Sequence, residues 1–330
     1  MVQAGENAPA PQLRPRAPRV SYRHGTAQAA LGERGTLAVF GFGAGAAEAD
    51  DPRWLGVPLE PFDTPAPLEI WQVDADVAHG RDGALRWACG GGWLYLALEL
   101  DEREHGGPAG TARRAYARLR GFLARCPQQR VLRVWNYLGA INHGEGDAER
   151  YKQFCNGRAA GMGDLFADGY PAATAIGHHA GAHRLQVYLL ACEQAGMPVE
   201  NPRQLSAWRY PRQYGPTPPG FARAMGLPAG DALAISGTAA VVGHASAHAG
   251  DPRAQLSEIL ANLEALLANA GMPAGFDTHS PLKAYVRRPA DAALVRELLQ
   301  QRLPGVPVLL LHGDVCREEL LVELDGWRYA

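Results

Sequence analysis

Two side chains near the C-terminus have the types and the spacing for proton chemistry. Glu323 stands in the run Leu320-Leu-Val-Glu323-Leu, and Cys316 lies seven residues before it. In an extended run Val322 and Leu324 point to one face and Glu323 to the other. A carboxylate so placed either faces solvent or is half-buried and keeps its proton. The second arrangement makes a general acid, because desolvation raises a carboxyl pKa toward neutrality. Cys316 reads either as a space-filling buried thiol or as a proton carrier. Arg158, Arg209, Arg212 and Arg223 are candidates to grip carboxylates, which planar guanidinium forks do better than ammonium groups. With Lys152 and Lys283 the only lysines, that preference also reads as plain composition. Arg209 and Arg212 read as solvated loop positions. Tyr210 and Tyr214 have hydroxyls for the same anion, or serve to pack a Pro-rich loop.

Other constellations are weaker. His178, His179 and His183 cluster in a strand-to-strand turn, and His244 and His248 straddle a small-residue loop. Neither group has acidic partners at ligand spacing, apart from Asp251, so no metal is expected. Gly41-x-Gly43 follows apolar residues like a dinucleotide fingerprint, but Asp50-Asp51-Pro52 interrupts the helix such a site needs. A loop or hairpin is expected there.

Composition narrows the classes. The 330 residues carry 32 Lys plus Arg against 34 Asp plus Glu, which leaves no bulk signature for nucleic acid or anionic membrane. Neither a secretory signal nor a run of apolar residues long enough to span a bilayer is visible. The five cysteines are scattered and never form Cys-x-x-Cys, which suits reduced thiols. The expectation is a soluble cytoplasmic globule.

The elements that must position these residues occur twice. Residues 1–18, rich in Pro, Ala and Arg, read as a disordered tail. A first half, 19–195, shows strands near 84–100, a helix near 109–125, a strand at 131–138, a helix near 147–166, and strands at 172–177 and 184–192. A second half, 196–330, repeats that order. Its strands lie at 232–246, broken by Gly237 and Gly243. Asp251-Pro252 opens a helix with the apolar stripe Leu256, Ile259, Leu260, Leu263, Leu266 and Leu267, closed by Gly271. A strand at 282–287, a helix near 290–302 and strands at 306–312 and 319–325 follow. Both halves read ββαβαββ, an α+β unit with helices on one face of a sheet. In this alignment Tyr188 falls where Glu323 falls, so one working site per chain is expected, on the second half.

Residues 232–330 resemble the Rid (reactive intermediate deaminase, YjgF-like) fold, also described as chorismate-mutase-like. The matching pieces are Ile235-Ser-Gly-Thr238, the Asp251-Pro helix and Leu320-Leu-Val-Glu323-Leu. That family usually carries an Arg fifteen residues before its strand Glu, where this chain has Val308. Over almost its whole length the chain resembles the chorismatases, which cleave the enolpyruvyl ether of chorismate. The pieces are Tyr151-Lys-Gln-Phe-Cys-Asn-Gly-Arg158, Tyr210-Pro-Arg-Gln-Tyr214 through Arg223-Ala, Ser236-Gly-Thr-Ala239 and Cys316 with Glu323.

The resemblance implies that Glu323 protonates the enol ether without metal or organic cofactor. It implies a chorismate site with Arg158, Arg223, Tyr210 and Tyr214 as substrate contacts and Gly237 and Ala239 as a close wall, positions that also suit a β-bulge. A Cys seven residues before the Glu marks the branch that makes 3-hydroxybenzoate, whereas the hydrolytic branch, which makes a dihydroxycyclohexadiene carboxylate, has a small residue there. A third group releases both 3- and 4-hydroxybenzoate. Hydrolysis, and a Rid-like binding module or imine deaminase, stand as alternatives. Rid-type units commonly assemble in threes, so a monomer and a homotrimer are both open.

Overall fold

The computed structural model describes residues 14–46 and 49–330. The chain begins with a sheet that the repeat does not announce. β1 (Arg19–Arg23), β2 (Thr36–Phe42), β3 (Trp54–Val57) and β5 (Leu68–Gln72) form four strands in the order β1-β5-β2-β3, with α1 (Ala27–Leu31) after β1 and the two-residue β4 (Glu60–Pro61) after β3. β2 includes Gly41, expected in a loop or hairpin. All seven residues of β2 are buried, so it reads as an unbroken apolar run without alternation. Most of the expected tail lies outside the described residues. Its last five residues are hydrogen-bonded to the body: Ala17 donates to Asp231, and the Arg16 and Pro18 carbonyls accept from Trp93 and Tyr329.

The first repeat follows as β6 (Ala78–Asp82), β7 (Leu85–Gly90), β8 (Trp93–Asp101), α2 (Gly107–Leu123), β9 (Arg130–Gly139), α3 (Arg150–Met162), β10 (Ala172–His178) and β11 (Arg184–Cys192). The second is β12 (Met197–Val199), β13 (Ala224–Gly226), β14 (Ala232–Ala239), the β15 (Val241–Val242) and β16 (Ala245–Ser246) hairpin, α4 (Pro252–Asn269), β17 (Leu282–Val286), α5 (Ala292–Arg302), β18 (Val308–His312), β19 (Asp314–Val315) and β20 (Val322–Tyr329). Each repeat contributes a mixed sheet with its helices on one face, the tandem α+β arrangement expected from the Rid resemblance. The Asp251 carboxylate caps α4 by accepting from the Arg253 and Ala254 amides, and Pro252 takes the first helical position.

The two seven-stranded sheets exchange edge strands. Their orders are β19-β10-β9-β11-β8-β7-β6 and β12-β13-β14-β20-β17-β18-β4. Thus β19 of the second repeat extends the first sheet, and β4 of the N-terminal segment extends the second. α2 and α3 cover the outer face of one sheet, α4 and α5 that of the other. The inner faces meet the N-terminal sheet around a buried aromatic layer that includes Trp71, Tyr95, Trp135, Tyr137, Tyr188, Tyr285 and Trp327. Tyr188, the counterpart of Glu323 in the repeat, stacks on Trp135 within this layer.

Candidate active site

β20 lies between β14 and β17, with Glu323 opposite Ala239 on one side and Tyr285 on the other. Val322 and Leu324 join the α4 and α5 core, so Glu323 takes the inner face, as strand alternation requires. It is buried, 5% exposed. Burial pushes its carboxyl up to about 8, and the nearby Asp325 adds to the rise, while Arg133, Arg223 and Arg287 oppose it. At neutral pH Glu323 is therefore a carboxylic acid, able to donate a proton.

The cavity it faces has a volume of about 320 Å³ and lies at the seam between the two large sheets. One wall comes from α3 and β10, the other from β14, the turn after β19 and the Pro-rich segment before β13. β14 carries a bulge between Ile235 and Thr238. Gly237 sits in it, and a Cβ there would overlap the Glu323 carboxyl, which would have to move to admit a side chain. Ala239 follows, buried against the same space. Cys316 is half-buried in the turn after β19. Burial first, and Glu323 second, push its thiol up to about 12, so it stands in the cavity as a neutral thiol.

α3 delivers Arg158. Its buried face packs tightly on α2 because Gly157 and Gly161 bring the two backbones together; a Cβ at either would strike the Ala109 or Arg113 carbonyl. Arg158 is 4% exposed, and its guanidinium lies 5.2 Å from the Tyr116 ring centre and 5.8 Å from that of Phe166. Its Nε and Nη2 have no hydrogen-bond partner among the described residues. A buried guanidinium with open donors at a cavity has the chemistry to receive an anion. Arg223 is held by its Nη2, which donates to the Leu205 carbonyl at 2.7 Å and the Tyr210 hydroxyl at 2.8 Å, while its Nε is open. Tyr210 thus accepts from Arg223 and retains its own proton to donate. Tyr214 packs beside Tyr210 and bonds His244 Nδ1 at 3.3 Å.

Every residue expected at the site lines this one cavity: Glu323, Cys316, Arg158, Arg223, Tyr210, Tyr214, Gly237 and Ala239. Arg209 is exposed, and Arg212 pairs with Asp147 at the surface. Several lining residues escaped the sequence. Arg317 stacks on Tyr214 at 3.9 Å and on Tyr210 at 5.1 Å, and ties both to the His244 carbonyl. Tyr151 and Cys155 share the Arg158 face of α3, a face that the 151/155/158 spacing defines. Gln204, Asn136, Thr174 and Phe221 complete much of the lining. The histidines serve elsewhere: His178 bonds the Arg184 carbonyl, His179 stacks on His312, and His248 pairs with Glu258. Among the described residues no three His, Cys, Asp or Glu side chains gather as a metal site. No helix among them is long and apolar enough to cross a membrane.

A tandem α+β chain with one acid-bearing, arginine-lined cavity at its seam has the make-up of an enzyme for a small anionic substrate. The family described as chorismatase FkbO/Hyg5-like, N-terminal, matches residues 69–191. A 3-hydroxybenzoate synthase of Streptomyces hygroscopicus is 36% identical over 285 residues, 81% of each chain. A chorismatase of the same species is 35% identical over 277 residues, 80% of each. A chorismatase crystal structure superposes with a TM-score of 0.85 at 31% identity, covering 97% of this chain and 100% of that one. The chain belongs to the chorismatase family and is an enzyme.

Proposed function

We propose that the enzyme converts chorismate to pyruvate and 3-hydroxybenzoate, by a reaction that Glu323 starts as a general acid. The observation that carries this reading is a buried carboxyl, in its acid form at neutral pH, facing a cavity with the open guanidinium donors of Arg158 and Arg223. Chorismate brings two carboxylates for those guanidiniums and a vinyl ether for the acid. Glu323 gives its proton to the vinyl methylene carbon, leaving an oxocarbenium ion on the pyruvyl side. The bond between ring C3 and the ether oxygen then breaks and pyruvate leaves, the C4 hydroxyl shifts to the cationic C3, and loss of the C3 proton makes the ring aromatic as 3-hydroxybenzoate. Pyruvate and hydroxybenzoate together contain the atoms of chorismate, so the conversion consumes neither water nor a redox partner. The ring proton balances the one Glu323 spent.

Cys316 fits this outcome as a neutral group that occupies space beside the acid, where a smaller residue would leave room for water to trap the cation. A small share of 4-hydroxybenzoate is compatible with the same route, since it forms when the C4 proton leaves before the hydroxyl shifts to C3. One chain supplies both walls of the cavity, so a single copy makes a complete site.

The test is purified protein with chorismate, with pyruvate followed by a coupled assay and ring products by chromatography. Pyruvate with 3-hydroxybenzoate, alone or beside its 4-isomer, is expected. Pyruvate with a non-aromatic diol retains the role of Glu323 and overturns that of Cys316. Absence of pyruvate refutes the proposal.

A further inference from the structure

Behind the acid lies a second carboxylate that the route above does not use. Asp325 is two residues beyond Glu323 on the same inner face of β20, and its exposure is 0%. Its Oδ2 accepts four hydrogen bonds: from Arg133 Nη2 at 3.0 Å, Trp135 Nε1 at 2.9 Å, Thr174 Oγ1 at 2.7 Å and Tyr285 Oη at 2.9 Å. Three of these donors come from the first large sheet and one from the second. An oxygen that accepts four donors, one of them a guanidinium, belongs to an ionised carboxylate. Thr174 also lines the cavity, so the cluster reaches the site.

A buried ion pair is weak evidence for stability, since desolvating both charges offsets their attraction. The location of this pair points to another role. The groups acting on Glu323 from the elements packed around it are Arg133 of β9, Arg223 before β13 and Arg287 after β17, all cationic, with Cys316 and Tyr151 neutral. Those cations favour the ionised form of Glu323, in which it has no proton to give. A substrate with two carboxylates requires guanidiniums beside the acid, so the free enzyme needs a counterweight. Glu149, Glu318 and Glu319 also line the cavity, but Asp325 is the buried carboxylate on the same strand face as Glu323, two residues away.

Building on the acid role proposed for Glu323, we infer that Asp325 is a positioning residue: its charge, clamped by Arg133, Trp135, Thr174 and Tyr285, holds Glu323 in the acid form against the guanidiniums around it, among them Arg223 of the substrate cavity.

Asp325→Asn keeps size and shape and removes the charge. For the wild type, kcat/KM on chorismate falls as pH rises through about 8, where Glu323 loses its proton. In the variant that falling limb moves down by about one pH unit or more, and kcat/KM at pH 8 drops about fivefold or more beyond any change at pH 6. The infrared carbonyl stretch of protonated Glu323, assigned by its loss in Glu323→Gln, reports the same shift without turnover. A limb and a band that stay at the wild-type pH overturn the inference, however far the overall rate falls. If Asp325→Asn does not fold, Arg133→Gln with Asp325→Asn removes the ion pair whole and leaves no orphan charge. Its limb should then lie below the wild-type one, by less than the single change would give, because Asp325 outweighs Arg133 at Glu323. A limb at or above the wild-type position counts against the role. Wild-type protein that releases no pyruvate refutes the function instead, and the infrared titration still decides whether Asp325 controls Glu323.

Discussion

Replacing Glu323 by Gln should abolish turnover and strengthen the fold, and both effects have one origin. Burial takes the carboxyl from its ordinary 4.5 to about 8. In between, the folded protein holds a proton that the unfolded chain has released, so stability falls as pH rises through this window. Below 4.5 the penalty is absent; above about 8 it is complete. At about 1.36 kcal/mol per tenfold, that interval corresponds to roughly 4–5 kcal/mol, and relaxation around a buried charge brings the expected value nearer 2–4 kcal/mol. Gln has the same shape and no charge at any pH. The Glu323→Gln protein should therefore melt above the wild type at pH 8.5, by about 4–8 °C at roughly 2 °C per kcal/mol for a chain of this size, and the two should converge near pH 5. Its kcat on chorismate should drop by about 10²–10⁴-fold, the range for a lost general acid. Thermal unfolding followed by circular dichroism at the two pH values, beside the pyruvate assay, measures both. A Gln variant that melts at or below the wild type at pH 8.5 would refute the buried neutral acid. A variant that keeps near-normal kcat would refute its catalytic use.

The remaining predictions concern the walls of the cavity. Cys316→Ala should keep pyruvate release within about tenfold while moving ring product from hydroxybenzoate toward the non-aromatic diol, read by chromatography; an unchanged product ratio removes Cys316 from the control of outcome. Arg158→Met should lower kcat/KM by about 10- to 10⁴-fold, as one or two charge-assisted bonds of roughly 1.5–3 kcal/mol each disappear. The same change should leave the melting temperature equal or higher, because the guanidinium Nε and Nη2 are buried without partners; a clear loss of stability would make Arg158 a structural residue. Gly237→Ala should cost about 1–3 kcal/mol from crowding against the Glu323 carboxyl and cut kcat/KM by about 100-fold, measured by denaturant unfolding and the pyruvate assay.

Much of this arrangement was legible before the structure, for identifiable reasons. The second repeat has strong periodicity: the Asp251-Pro252 opening and the leucine stripe leave α4 little freedom, and the alternation in Val322-Glu323-Leu324 puts the acid on the inner face. What escaped follows its own physics. β2 is buried on both faces, so it has no alternation to read, and its Gly41 drew the segment toward a loop. β4 and β19 are two residues each, too short for any period, although they lace the sheets together. α3 ends at Met162, short of the expected 166, where Gly163 turns to positive φ. Arg317 has no spacing that betrays its stack on Tyr210 and Tyr214, because those partners arrive from a loop about a hundred residues away. Asp325 ends the expected strand at 319–325 with nothing in its spacing to mark it, and only assembly of both sheets reveals its four donors.

The strand exchange also decides how the cavity can open. Val315 pairs with Ile176, and Asp314 with Gly177, so the residue just before Cys316 is bolted to the opposite sheet. Glu60 pairs with His312 in the return direction. With β19 of the second repeat paired into the first sheet and β4 of the N-terminal segment paired into the second, strand hydrogen bonds resist a hinge-like separation of the two sheets. Entry and exit fall to the Pro-rich segment that carries Tyr210 and Tyr214, latched by Arg317 to the hairpin beyond. On the proposed function, substitutions in that segment should alter how fast substrate enters, and substitutions around Glu323 and Cys316 should alter what it becomes.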